Sequence, residues 1–119
     1  VTDLQTIAGR KTARLTTVGR KSGQERTVEI WFVVDEGAVL VQAGPKGRKG
    51  WYANVGANPR VRLQIGDTAL EGIAERLEVP EERDRVAALF RRKYWLARLA
   101  GWVGSPIGRG DPVRIRTGS

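Results

Sequence analysis

The sequence contains no cysteine and no histidine. Disulfides, thiolate nucleophiles and histidine-based zinc sites are therefore excluded. A Ser-His-Asp triad cannot be assembled, and the usual side chain that titrates near neutrality is missing. No apolar run approaches the roughly eighteen residues that a bilayer-spanning helix requires. The N-terminus lacks the basic-then-apolar pattern of a secretory signal, so a cytoplasmic location is the expectation. Acidic residues are also in short supply, 13 against 21 lysines and arginines, for a net charge of +8. Chemistry in such a chain has to come from a bound cofactor, from carboxylates or lysine, or from hydroxyls and backbone dipoles.

What is present fits one soluble globular domain. The 119 residues are 40% hydrophobic and 29% charged, enough for a real core and too short for two. The positive charge is uneven. Arg10, Lys11, Arg14, Arg20, Lys21, Arg26, Lys46, Arg48, Lys49, Arg60 and Arg62 face only Glu25, Glu29, Asp35 and Glu36 over the same stretch. A partner anion is implied, and composition alone leaves nucleic acid, a polyanionic small molecule and mere solubility open.

Along the chain, residues 1–11 read as a lead-in with a single helical turn. Strands are predicted at 12–17, 26–34, 38–43, 60–65, 68–78 and 112–116 from their β-branched, aromatic and alternating composition. Asp35-Glu36-Gly37 is a tight reversal that makes the second and third strands a hairpin. Residues 51–57 form a short helix stopped by Asn58-Pro59, since proline disfavours helix in the residue before it. Pro80-Glu81-Glu82 opens a longer helix reaching about Leu99, with Val86, Leu89, Phe90, Tyr94, Leu96 and Ala97 at helical spacing. Residues 12–78 are then the barrel core, and 79–119 the C-terminal helix and final strand. Strands joined by tight turns imply an antiparallel sheet, closed into a small barrel with helices packed on it.

Two segments could carry chemistry. In Gly19-Arg-Lys-Ser-Gly23 the flanking glycines allow close backbone approach to an anion. Arg20 and Lys21 add charge, the Ser22 hydroxyl a further donor, and Arg26 can reach back from the next strand. An ordinary solvated hairpin turn has the same composition. The second segment is Trp51-Tyr52 at a helix start, after a loop holding Lys46, Arg48 and Lys49. Free amides suit an anion and an indole suits a flat ring, but Trp51 can equally cap the barrel. Asn54 and Asn58 read better as turn and cap residues than as ligands. The basic, aromatic stretch 91–102, with Tyr94, Trp95 and Trp102, leaves core packing, a substrate-site cover and peripheral membrane contact open.

The run Leu15-Thr-Thr-Val-Gly-Arg-Lys-Ser-Gly-Gln-Glu-Arg26, the strand up to Ala43, and Trp51-Tyr-Ala-Asn-Val-Gly-Ala-Asn-Pro-Arg-Val61 resemble the deazaflavin-dependent nitroreductase family. The resemblance covers roughly residues 13–66. It implies a mainly β, α+β fold: an antiparallel, FMN-binding-like split β-barrel. It also implies coenzyme F420, a deazaflavin with a phosphate and an oligoglutamate tail, used to reduce quinones, nitro compounds or similar acceptors. By the resemblance, Arg20, Lys21, Ser22 and Arg26 hold phosphate and tail, and Gln42, Ala43, Gly44, Pro45 and Lys46 line the ring or phosphate side. Gly50, Trp51, Tyr52, Ala53 and Asn54 form the helix start beside the ring, while Tyr94, Trp95 and Trp102 are pocket-wall candidates. Hydride transfer would be the cofactor's chemistry, so no catalytic side chain and no metal are expected. An FMN flavoprotein and a non-enzymatic basic barrel binding a cofactor or nucleic acid are the alternatives, with FMN the alternative cofactor. A small-molecule electron acceptor is the expected partner, nucleic acid is not, and a homodimer stays open.

The chain departs from the family pattern at Glu25, where proline is frequent, and at Thr27-Val-Glu-Ile30, where Pro-Leu often follows the arginine.

Overall fold

The computed structural model describes residues 7–19, 21–43, 50–99 and 111–117, with side chains in the long helix described through Tyr94. The strands are β1 (Thr12–Val18), β2 (Glu25–Asp35), β3 (Ala38–Ala43), β4 (Arg60–Ile65), β5 (Thr68–Arg76) and β6 (Asp111–Thr117). Helix α1 (Trp51–Ala57) precedes β4, and α2 (Pro80–Leu99) lies between β5 and β6. All neighbouring pairs are antiparallel, and the order β1-β2-β3-β6-β5-β4 closes into a barrel through β1 and β4. This is the split-barrel architecture expected from the sequence.

Tight turns set the register. Asp35 pairs with Ala38, which leaves Glu36 and Gly37 as a two-residue loop with φ of 49° and 77°. Two positive φ values are what a type I′ turn needs to match the twist of its strands, and a glycine takes the second at no steric cost.

The period-two pattern then sorts the side chains. In β4, Val61, Leu63 and Ile65 are buried, while Arg60, Arg62 and Gln64 alternate outward. Leu15, Phe32, Val39, Val41, Ile65, Val113 and Ile115 meet them in the barrel interior at 0–2% exposure or less. A second cluster lies between the barrel and α2, where Val86, Phe90 and Tyr94 cover Val33, Leu40 and Leu77, with Trp31 and Leu89 at its edge. The acids of the strand-to-helix segment are not simply solvated. Glu75 and Glu82 both reach Arg114, at 3.2 and 2.9 Å, and Arg83 joins Asp111 at 2.9 Å, so ion pairs stitch α2 to β5 and β6. No helix among the described residues is long and apolar enough to cross a membrane.

One irregularity opens the barrel. β2 pairs with β1 over Glu25–Trp31 and with β3 only over Phe32–Asp35. Among the described residues its first half therefore has no partner on the side of β3. The gap lies at the end of the barrel that α1 plugs.

Candidate functional site

Helix α1 is held across the barrel end by its own core residues. Trp51 and Val55 belong to the main core, and the buried Asn54 amide donates from Nδ2 to Thr17 Oγ1 at 3.3 Å. The Asn58 N–H donates to the Asn54 carbonyl at 2.7 Å and ends the helix. Asn54 and Asn58 are thus anchoring and capping residues, as their sequence context suggested. Tyr52 is half-buried, and Arg76 reaches across α1 to place its guanidinium 5.1 Å from the Tyr52 ring centroid. Gly56 makes room for it, since a Cβ there would lie 2.8 Å from Arg76 Cζ.

The turn between β1 and β2 is more closed on itself than its glycines suggested. The Gly19 N–H donates to the Gln24 carbonyl at 2.7 Å, and the Gly23 N–H to the Gly19 carbonyl at 2.9 Å. The Gln24 N–H donates to Ser22 Oγ at 3.2 Å. Gly19 is required for space, because a Cβ would meet Ser22 Oγ at 2.8 Å, and Gly23 for its φ of +72°. Those amides are engaged internally, so an anion at this turn is met mainly by side chains. Lys21 and Arg26 are both exposed, and among the described residues neither takes part in an ion pair. Arg26 lies opposite Thr17 in the ladder, on the inward-facing row of β2 with Val28 and Ile30, and so sits at the rim of the open barrel end.

On the far side of the gap, Ala43 is buried and Gln42 stands next to the end of β3. Gln42 Nε2, on the outward row of β3 with Leu40, is buried and has no hydrogen-bond partner among the described residues. The sequence-expected residues Lys21, Ser22, Arg26, Gln42, Ala43, Gly50, Trp51, Tyr52, Ala53 and Asn54 thus gather at one end of the barrel. Arg20, Gly44, Pro45, Lys46 and Trp102 lie outside the described residues, as does the side chain of Trp95. The aromatic part of the 91–102 segment beyond Tyr94 is likewise outside them.

Tyr94 is a core residue rather than a pocket wall. It is 3% exposed and stacks on Trp31 with ring centroids 4.2 Å apart and planes at 7°. Its neighbour Lys93, which composition alone did not single out, donates to the Phe32 carbonyl at 2.8 Å and sits 3.7 Å above the Phe32 ring. Burial lowers the Lys93 pKa from 10.5 to about 8. A lysine depressed in the folded state binds fewer protons there than when unfolded, so stability rises with pH between about 8 and 10.5. Urea unfolding of the wild type against Lys93→Met across that range should show the rise in the wild type alone. Equal pH profiles would mean the ammonium is solvated.

Residues 2–107 match the family model described as F420H(2)-dependent quinone reductase. The chain belongs to that family. It is similar to an F420H(2)-dependent quinone reductase of Mycobacterium tuberculosis (strain ATCC 25618 / H37Rv), with 38% identity over 55 residues. That alignment covers 44% of this chain and 37% of the relative, so it spans little more than a third of the curated relative's length. A solved structure of an F420-H2 dependent reductase (FDR-A) superposes with a TM-score of 0.65 at 34% identity, covering 89% of this chain and 93% of the other. A second, described as a domain-swapped dimer, has the same TM-score of 0.65 and identity of 34%, over 89% and 79% of the two chains. The family read from the two motifs is therefore borne out.

The residues at the barrel end fit such a cofactor on their own chemistry. Cations with no ion pair among the described residues stand at the rim, and an apolar floor is made by α1.

Proposed function

We propose that the chain binds coenzyme F420 at the open end of the barrel and reduces a quinone or a similarly activated acceptor such as a nitro compound. The gathering of Lys21 and Arg26 with helix α1 at one end of the barrel is the observation that carries this reading. Family membership supports it. When bound, the reduced deazaflavin supplies the hydride.

The chain's own residues then bind, orient and exclude water. Lys21 and Arg26 take the phosphate and the start of the tail, joined by Ser22 and by Arg20 and Lys46. Gln42, on the outward row at the end of β3, would offer its Nε2 to the ring or phosphate side of the ligand. Ala43, Gly50, Tyr52 and Ala53 would line the remaining wall, with Gly44 and Pro45 assigned to it by the family motif alone, and Trp51 with Val55 closes the interior behind it. Because the chain lacks histidine and cysteine, positioning over the acceptor is the protein's main contribution. A homodimer belongs to the same proposal, in keeping with the relative described as a domain-swapped dimer.

Titration with F420 and, separately, with FMN, followed by tryptophan fluorescence at moderate salt, tests the reading. F420 should saturate tightly and FMN should not. Replacing Lys21 and Arg26 together by alanine should weaken F420 binding roughly tenfold, the scale of charge-assisted bonds at an exposed rim. Preference for FMN would move the chain to a flavin cofactor, and undiminished affinity in the double variant would remove the turn from the site.

A further inference from the structure

A cleft of about 760 Å³ lies on the outer face of the barrel, beside the turn that joins β1 to β2. Its floor is the outward row of β1, β4, β5 and β6. Thr16, Val18, Glu25, Arg60, Ile73 and Arg116 are among its lining residues. The strand register explains why they converge. Arg60 pairs with Ile73 and Ile73 with Arg116, so two arginines flank an isoleucine across three adjacent strands. At about 4.8 Å per strand, their backbones stand roughly 10 Å apart.

The charges in this cleft are not all matched. Arg62 is paired with Glu25 and stands opposite Glu71 in the ladder. Arg60 and Arg116 are exposed and make no ion pair among the described residues. Between them Ile73 is 51% exposed, one of two large hydrophobic side chains this open among the described residues. The surface therefore alternates cation, apolar patch, cation. A compact anion such as phosphate would meet one guanidinium and gain nothing from Ile73. A chain of carboxylates separated by methylene groups would match both features.

The cleft also adjoins the candidate site. Val18 ends β1 and Glu25 begins β2, so two of its walls are the roots of the turn that carries Lys21. Glu25 faces outward and Arg26 inward, and the turn straddles the rim between the cleft and the barrel end. A flexible chain held at its head by Lys21 and Arg26 can cross this rim onto the outer face.

We propose that the outer cleft is a polycarboxylate subsite in which Arg60 and Arg116 take successive carboxylates of the cofactor's oligoglutamate tail, with Ile73 under the methylenes between them. This rests on the F420 reading above. A separate acidic ligand, such as a free glutamate oligomer, would offer the same chemistry, and the experiment tells the two apart.

The full chain is titrated at low salt with F420 carrying its tail, with the form lacking glutamates, and with free oligo-γ-glutamate. The same series is run on Arg60→Gln/Arg116→Gln, two exposed positions whose replacement should leave the circular dichroism unchanged. In the wild type the tail should tighten binding about five- to tenfold, a gain that solvent-exposed charge pairs can supply and that salt should erode. In the double variant the gain should shrink to less than twofold, with the affinity for the glutamate-free form unaltered. A tail-dependent gain that survives in the variant, or is absent from the wild type, overturns the proposal. If neither form of F420 binds, the cofactor reading fails, and the free oligomer decides the cleft. Arginine-dependent binding of that oligomer upholds a polycarboxylate site served by a separate ligand. Its absence overturns the site.

Discussion

Trp51→Ala should lower stability by about 3–5 kcal/mol, the range for removing a large buried aromatic side chain. The indole is 7% exposed and packs into the main core with Val55, and its ring meets Tyr52 edge-on at 6.2 Å. No other residue of α1 is both large and so deeply placed. Its loss empties the plug of the barrel end and frees the helix from the sheet. A domain of this size has a total stability of about 5–15 kcal/mol, so the variant should lie near the edge of folding. Urea unfolding measures the loss, and Trp51→Phe should recover most of it. F420 affinity, measured on the folded fraction, should fall less steeply than stability. A loss below about 1 kcal/mol with strongly weakened F420 binding would instead place the indole against the cofactor.

Much of this organisation is legible in the sequence because local physics and global packing agree. The bounds of β3 and α1 follow from Asp35-Glu36-Gly37 and Asn58-Pro59, whose backbone preferences are strong and local. The inward row of β4 follows from the alternation of Val61, Leu63 and Ile65 with charged or amide neighbours. The candidate site is legible as two motifs, and the fold does bring Lys21, Arg26, Gln42 and α1 to one end.

Three things were hidden. The amides of Gly19, Gly23 and Gln24 are taken up within the turn, which depends on Ser22 and Gln24 folding back and not on glycine content. The Trp51 segment admits two readings until the depth of α1 in the barrel is known. The Arg60-Ile73-Arg116 row exists only through the pairing of β4, β5 and β6, residues far apart in the chain. Alternation says which way each side chain points. It does not say which strands lie side by side.

Tyr94→Phe should cost about 1–3 kcal/mol although it removes a single oxygen. The reason lies where β1 stops. Pairing between β1 and β2 ends at Thr12 and Trp31, so the next residue of β2, Phe32, has no β1 residue opposite. The Tyr94 hydroxyl takes that place. It accepts the Phe32 N–H at 3.1 Å and donates to the Lys11 carbonyl at 2.7 Å, with the Phe32 carbonyl 3.0 Å away. A helix side chain thus extends the β1–β2 ladder by one step and ties α2 to both strands. The backbone of α2 departs from helical geometry at this residue, with φ of −107° and ψ of 15°, as the ring is carried against the sheet.

Phenylalanine keeps the stack on Trp31 and the contact with Phe90, at 6.0 Å, so the loss isolates the hydroxyl. It strands the Phe32 N–H in the interior, since Lys93 can serve only the carbonyl. Urea unfolding should show the drop, and hydrogen exchange should show the Phe32 amide losing protection while its neighbours Val33 and Val34 keep theirs. Burial raises the tyrosine's pKa to about 12, with the Phe32 bond opposing. Proton uptake by the folded state then makes wild-type stability fall between about pH 10 and 12, a decline that Tyr94→Phe should lack. Unchanged stability with intact Phe32 protection would mean that water, not tyrosine, completes the ladder.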